Sequence, residues 1–256
     1  MAKVIAIANQ KGGVGKTTTS INLAAALSLS HKPTLVVDLD PQANATSGLG
    51  IEPHGSTIYE CLINATEADQ AICSSRIANL DVLPSRQDLA GAELELAGVP
   101  EREMALHQCL EDVRDRYDII LIDCPPALGL LTVNALVAAQ SVLIPVQCEY
   151  YAMEGLGRLM QTLERVRETL NPALELEGIL LTMWDARLTL SRQVSEEVRQ
   201  YFKEKVYRVA IPRNVALAEA PSYGQTVLLY NAASAGARAY LELAKELLNN
   251  GEKSTR

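Results

Sequence analysis

Near the amino terminus the run Gln10-Lys11-Gly12-Gly13-Val14-Gly15-Lys16-Thr17-Thr18 places three glycines between two lysines and ends on hydroxyl side chains. Glycines at such spacing let successive backbone N–H groups turn inward toward phosphate oxygens, and a helix that starts there adds partial positive charge. Lys16 at the end of the loop can reach the β- and γ-phosphates of a nucleotide, while the Thr17 hydroxyl can ligate Mg²⁺. A glycine turn with no ligand would explain Gly12, Gly13 and Gly15 but gives no reason for the flanking lysines. The run departs from the common pattern at position 10, where Gln stands in place of Gly, and in the additional Lys11.

Carboxylates follow further along. Asp38-Leu39-Asp40-Pro41-Gln42-Ala43-Asn44 comes directly after an apolar run, and Ile119-Ile120-Leu121-Ile122 ends in Asp123, followed by Cys124-Pro125-Pro126. In an open α/β sheet these places are the carboxyl ends of strands, where ligands bind. Asp38 and Asp40 alternate along an extended segment, so one can face the site while the other orients the loop. Either can position a water or hold a metal. Cys124 has no base or metal set in its neighbourhood and reads as a structural thiol.

The elements that must hold these residues are legible as short apolar runs: Val4–Ala8, Thr34–Val37, Leu80–Leu83, Ile119–Ile122, Ser141–Val146, Ile179–Thr182 and Val206–Ile211. Runs of this length, rich in Val and Ile, are what strands buried on both faces look like. Between them, apolar residues at three- and four-residue spacing predict helices over Lys16–Leu29, Glu101–Tyr117, Glu154–Leu170, Ser191–Tyr201 and Ser234–Leu248. The alternation predicts an α/β fold, a single domain with a mostly parallel central sheet flanked by helices. No internal repeat or Pro/Gly/Ser-rich linker divides the chain, so one domain over residues 1–250 is expected, with 251–256 as a flexible tail.

Composition sets limits. With 256 residues and 48% hydrophobic content the chain can bury a large core. A single Trp and a single Phe disfavour aromatic stacking on single-stranded nucleic acid, and a net charge of −8 excludes an all-over basic coat. The first 37 residues nonetheless carry Lys3, Lys11, Lys16 and Lys32 and no carboxylate. Five cysteines without a CxxC pair argue for buried free thiols in a reducing cytoplasm rather than a disulfide framework or zinc site. No signal peptide and no apolar stretch of about 18 residues is present.

The segment from Lys11 to Thr18 resembles the deviant Walker A box of the ParA/MinD ATPases. Asp38–Asn44 resembles their switch I, and Ile119–Pro126 their Walker B and switch II. Similarity continues through Val146–Ala152, Ile211–Val215 and Ala218–Gly224, running from about residue 2 to about residue 247. It is nearest to the chromosomal ParA, or Soj, branch. The resemblance implies a P-loop NTPase fold and Mg·ATP bound by Lys11, Gly12, Gly13, Val14, Gly15, Lys16, Thr17 and Thr18. It implies that Lys11 reaches across a homodimer to the partner's nucleotide, that Asp40 positions the attacking water, and that Asp123 acts on Mg²⁺ through a coordinated water. Catalysis would rest on Lys11, Lys16 and Asp40, and Pro212 and Asn214 would lie against adenine. Slow ATP hydrolysis would be stimulated by a ParB-like centromere-binding protein.

Between Asp185 and Arg213 seven basic residues face four acidic ones, a stretch suited to sequence-independent contact with the phosphates of double-stranded DNA. Arg187 matches a DNA-binding arginine of the family; Arg192, Lys203 and Arg213 are the other candidates. Ala216 and Gln225 stand where relatives commonly carry basic residues. The expectation is a cytoplasmic, nucleoid-associated segregation ATPase. The loop begins nine residues from Met1, so no operator-reading helix-turn-helix is expected before it. One rival is a MinD-like membrane-associated ATPase, but Ala237–Asn250 carries Glu242 and Glu246 against Arg238 and Lys245 and lacks a strongly basic face. Another is an orphan ParA that positions a protein cargo. A third, electron transfer as in the nitrogenase iron protein, needs correctly spaced cysteines, which Cys124 and Cys148 do not provide.

Overall fold

A strand whose successive residues are all apolar is stable only if both faces of its sheet are covered. The first strand illustrates how this is met: Val4 and Ala6 enter one core cluster, and Ile5 and Ile7 enter the other, on the opposite face. The computed structural model describes residues 2–254. Its strands are β1 (Lys3–Ile7), β2 (Thr34–Asp38), β3 (Cys73–Ser74), β4 (Leu80–Leu83), β5 (Ile119–Asp123), β6 (Ser141–Gln147), β7 (Glu175–Trp184) and β8 (Val206–Pro212). They form one sheet in the order β3-β4-β2-β5-β1-β6-β7-β8. Neighbours run parallel, except that β3 pairs antiparallel with β4.

The central position of β1, between β5 and β6, matters for function. The chain leaves β1 toward β2 on one side, and the later crossover from β5 to β6 passes to its other side, which opens a crevice at the strands' carboxyl ends. The loops after β1, β2 and β5 carry the glycine run, Asp38–Asp40 and Asp123 respectively, and all three meet at that crevice.

The helices Lys16–Leu29 and Ala235–Ser254 cover one face through Ile21, Leu23, Leu27, Tyr240, Leu243 and Leu247. The helices Leu130–Ala138, Ala152–Thr169 and Thr189–Phe202 cover the other through Leu131, Ala135, Leu156, Leu163 and Val198. All seven expected strands form, with β7 extended at both ends and β3 added. The expected helix Glu101–Tyr117 does not run unbroken. Glu101 takes a left-handed φ of 55°, and a 3₁₀ turn (Arg102–Met104), a short helix (Ala105–Glu111) and a second 3₁₀ turn (Arg114–Arg116) follow. The helix Leu130–Ala138 is additional to those expected. At the carboxyl end the last helix continues to Ser254 where a tail had been expected from 251 onward; residues 255–256 lie outside the described residues.

One contact ties the region after β2 to the carboxyl third of the chain. Gly50 (φ 69°) and Gly224 (φ 60°) meet backbone to backbone, and a Cβ on Gly50 would lie 2.7 Å from the Gly224 carbonyl oxygen. Only residues without side chains allow this approach and this φ together.

Candidate nucleotide site

The loop after β1 is shaped by its glycines and pinned by neighbours. Gly13 and Gly15 take φ of 74° and 89°, and at Gly12 and Gly13 a Cβ would meet no atom within 4 Å, so the cradle opens to solvent on that side. Thr182 at the end of β7 donates to the Val14 carbonyl at 2.8 Å. Asn9 donates to the Pro145 carbonyl at 2.7 Å and accepts from Lys11 N–H at 3.0 Å. The helix Lys16–Leu29 begins with no side-chain cap, so its first N–H groups remain available to an anion.

Lys16 is 7% exposed, with its ammonium directed back to the Lys11 carbonyl at 3.4 Å. Burial lowers its pKa, opposed by the charges of Asp123, Cys124 and Asp40. It shares the crevice with Gly12, Gly13, Gly15, Thr17, Thr18, Asp40 and Pro126.

Asp38 and Asp123 sit opposite one another on the paired ends of β2 and β5. The Thr17 hydroxyl donates to Asp123 Oδ2 at 2.8 Å and the Ser20 hydroxyl to Oδ1 at 2.7 Å. Asp38 accepts from both the N–H and the hydroxyl of Thr46, at 2.8 and 2.7 Å. Burial pushes both carboxyls above the usual carboxylate range, and for Asp123 the adjacent Asp38 adds to the effect. A crowded buried carboxyl pair of this kind favours a cation beside it, which would relieve both terms.

The alternation left open by the sequence resolves in geometry. Asp38 is wholly buried and anchors the following loop through Thr46, whereas Asp40 lines the crevice. Ser85 holds Asp40 from behind, its hydroxyl donating to the Asp40 carbonyl at 2.8 Å while its N–H donates to Thr46 Oγ1 at 2.9 Å. Ser20, Thr46, Ser85 and Thr182 were not singled out in the sequence. Ser20 stands one helical turn after Lys16, while Thr46, Ser85 and Thr182 act from other segments that no spacing rule connects to the glycine run.

A second cavity adjoins the first through Gly15 and Thr18 and is lined by Ile211, Pro212, Asn214, Leu217 and Tyr240. It is apolar apart from a few groups, as a nucleobase site requires. The Asn214 Oδ1 is buried there without a hydrogen-bond partner, an acceptor suited to an exocyclic amine. The open glycine cradle, the Lys16, Thr17 and Asp123 cluster and this cavity fit a magnesium-bound nucleoside triphosphate. Lys11 is on the rim, half-exposed, and forms an ion pair with Glu149.

The basic candidates divide. Arg187 makes a bidentate pair with Asp185 at 2.9 and 2.7 Å, which holds the Asp185 carboxyl down to about 2, and Arg213 is close enough to contribute. Arg192 lies on the first turn of the neighbouring helix, so these three gather at the carboxyl edge of the sheet. Lys203 precedes β8 and therefore sits at the opposite edge, in a cleft with Arg199, Arg208 and Lys245. Arg199 and Lys205 serve the fold instead, donating to the Tyr207 and Leu176 carbonyls at 2.9 Å each. Ala216 is buried.

Comparison with known proteins agrees with this geometry. A family model described as an AAA domain matches residues 2–176. The chain is 55% identical over 253 residues to the sporulation initiation inhibitor protein Soj of Bacillus subtilis, covering 98% of this chain and 100% of that one. It is 52% identical over 250 residues to the chromosome partitioning protein ParA of Myxococcus xanthus, covering 97% and 88%. Among solved structures, cobyrinic acid a,c-diamide synthase from Mycobacterium smegmatis with bound ADP and magnesium superposes with a TM-score of 0.87 at 39% identity, over 100% of this chain and 97% of that one. A glycine cradle, a lysine, a threonine and two aspartates converge in one crevice, and the chain belongs to the ParA/MinD-type P-loop ATPases, in their Soj/ParA branch, with ATP and Mg²⁺ as cofactors.

Proposed function

We propose that the chain is a chromosome- or plasmid-partition switch: a slow ATPase that forms a homodimer around ATP, binds DNA without sequence preference in that state, and is reset when a ParB-like partner stimulates hydrolysis. The observation that carries this reading is the position of Lys11. It stands on the rim of its own site, tethered to Glu149 and directed away from the crevice that Lys16 fills. An exposed ion pair of this kind is worth about 0–1 kcal/mol, so releasing Lys11 toward a second subunit's phosphates costs little.

Within one subunit, Gly12 to Thr18 present backbone N–H groups to the phosphates and Lys16 neutralises the charge that builds on the leaving oxygens. Thr17 and, through a water, Asp123 would hold Mg²⁺, which would supply charge stabilisation to the phosphates. Asp40 orients the attacking water, and Asp38 with Thr46 and Ser85 fixes the loop on which Asp40 stands. Phosphoryl transfer demands chiefly positioning and charge stabilisation, which this set supplies. Pro212 and Asn214 contact the base. Arg187, Arg192 and Arg213 are the DNA contacts at the carboxyl edge, and Lys203 would meet a phosphate only if the duplex wrapped to the other edge. The switch would work in the cytoplasm on the nucleoid. An orphan ParA that positions a protein cargo would use the same machinery.

The test is the Asp40→Ala protein with ATP or ADP, followed by light scattering and DNA binding across a salt series. The expected result is a dimer with ATP only, with DNA affinity that falls steeply as salt rises. A protein that stays monomeric with ATP would remove Asp40 and the dimer cycle together. A dimer that ignores DNA would leave the ATPase reading intact and overturn the DNA-binding one.

A further inference from the structure

Two of the five cysteines are neighbours in space although 48 positions separate them. Cys61 lies on the helix Ile58–Leu62 and Cys109 on the helix Ala105–Glu111, and these helices pack together. Both side chains line one surface cavity of about 380 Å³, whose other walls include Glu67, Gln70, Gln108 and Asp112. Cys61 forms its floor at 2% exposure, and Cys109 is half-buried at its side. The two thiols are close enough to perturb one another, which favours the thiolate at Cys61 and, together with burial, opposes it at Cys109. The remaining thiols are placed differently: Cys124 is enclosed at the nucleotide site, Cys148 is buried beside Ser191, and Cys73 is across the molecule's edge on β3. No spacing in the chain pairs these two cysteines, and the expectation of buried free thiols holds for Cys61, Cys124 and Cys148, whereas Cys109 and Cys73 are only partly buried.

We infer that Cys61 and Cys109 form a dithiol modification site, which closes to a disulfide on reaction with a small neutral peroxide and chelates thiol-seeking trivalent arsenicals when reduced. The cavity selects the reagent. Glu67 and Asp112 on its wall repel anions such as glutathione thiolate, while hydrogen peroxide carries no charge and fits the opening. Either thiol can open the reaction, because both line the same cavity. The thiolate of one cysteine attacks one peroxide oxygen and releases hydroxide, leaving a sulfenic acid. The sulfur of the other cysteine then attacks that sulfur, its proton passes to the departing oxygen, and water leaves. In sum, two thiols and one hydrogen peroxide give one disulfide and two waters. In a reducing compartment such a bond is transient, so the site would respond to oxidant pulses rather than hold the fold together.

The bond would act on a defined place. The helix that bears Cys109 begins where Asn134 accepts from Leu106 N–H at 3.0 Å and donates to the Arg102 carbonyl at 2.9 Å. Asn134 belongs to the helix Leu130–Ala138, which follows directly on the Asp123–Pro126 loop. Oxidation therefore fastens a support of that loop without touching any group assigned to ATP.

The experiment treats the full chain with hydrogen peroxide, alkylates the remaining thiols and maps peptides without reduction. A single cross-linked peptide pair containing Cys61 and Cys109 is expected, which is lost with dithiothreitol and absent in Cys109→Ser, with the other three cysteines alkylated. In parallel, phenylarsine oxide should bind the reduced protein one to one and lose that binding at least tenfold in Cys109→Ser. Cys109 is only partly buried, so its variant avoids the folding risk of Cys61→Ala, and circular dichroism checks this. Overoxidation of either cysteine with no cross-link, a disulfide between other positions, or arsenical binding unchanged in Cys109→Ser would each overturn the inference.

Discussion

Lys16 and Asn214 show how much one side chain can carry here. A buried ammonium with the phosphates as its natural partner is replaced in Lys16→Ala by a void, and nucleotide affinity should fall at least a hundredfold by calorimetry. An unchanged affinity would mean the loop does not bind phosphate. Asn214→Ala is subtler. Its Oδ1 is buried without a partner, so removing it should leave the thermal stability of the nucleotide-free protein unchanged or slightly raised, while ATP affinity falls about fivefold, roughly one hydrogen bond. Loss of stability without loss of affinity would place Asn214 in the fold rather than the site. At this scale the glycine run was legible because phosphate chemistry restricts which residues can stand there. The alternation of Asp38 and Asp40 did not by itself decide between them, and only the family resemblance favoured Asp40, since the choice depends on Thr46 and Ser85, which reach the pair only through the folded chain.

Elements were legible where burial wrote a pattern. Each parallel strand shows as an apolar run, and β3 escaped because two residues on an edge carry no pattern. The helix Leu130–Ala138 escaped for the opposite reason. It is apolar nearly all round and buried against the sheet, so no three- to four-residue period stands out. The short helix Ile58–Leu62 survives through its start. Thr57 Oγ1 accepts from Tyr59 N–H at 3.3 Å, and Glu60 accepts from Thr57 N–H at 2.7 Å. Thr57→Ala should cost about 1 kcal/mol in urea unfolding, with Thr57→Ser restoring most of it. A cost near zero in both would show that the cap contributes nothing.

Across the whole molecule the last helix bears on the choice between a partition switch and a membrane-seated one. Its apolar residues Ala237, Tyr240, Leu243, Ala244 and Leu247 are buried against the helix Lys16–Leu29 and β8, leaving a mixed-charge outer face. No helix among the described residues is long and apolar enough to cross a membrane. Vesicles of anionic phospholipid should therefore leave the ATP-bound Asp40→Ala protein in the supernatant on centrifugation. Recovery of most of it in the pellet would require that helix to leave the core and would favour the membrane reading.

That same packing has a consequence for the order in which the protein comes into being. The Tyr240 hydroxyl bonds Thr19 at 3.2 Å and its side chain lines the cavity proposed for the base, yet residues 235–254 leave the ribosome after every strand of the sheet. Domains condense from the amino terminus as they are made, so the phosphate loop exists for most of synthesis beside a helix with one flank exposed and a base site with one wall missing. A nascent chain can offer a grip on phosphate well before it can grip a nucleoside. Tight retention of ATP thus marks a finished chain, and a molecule truncated before residue 235 would be born unable to enter the cycle.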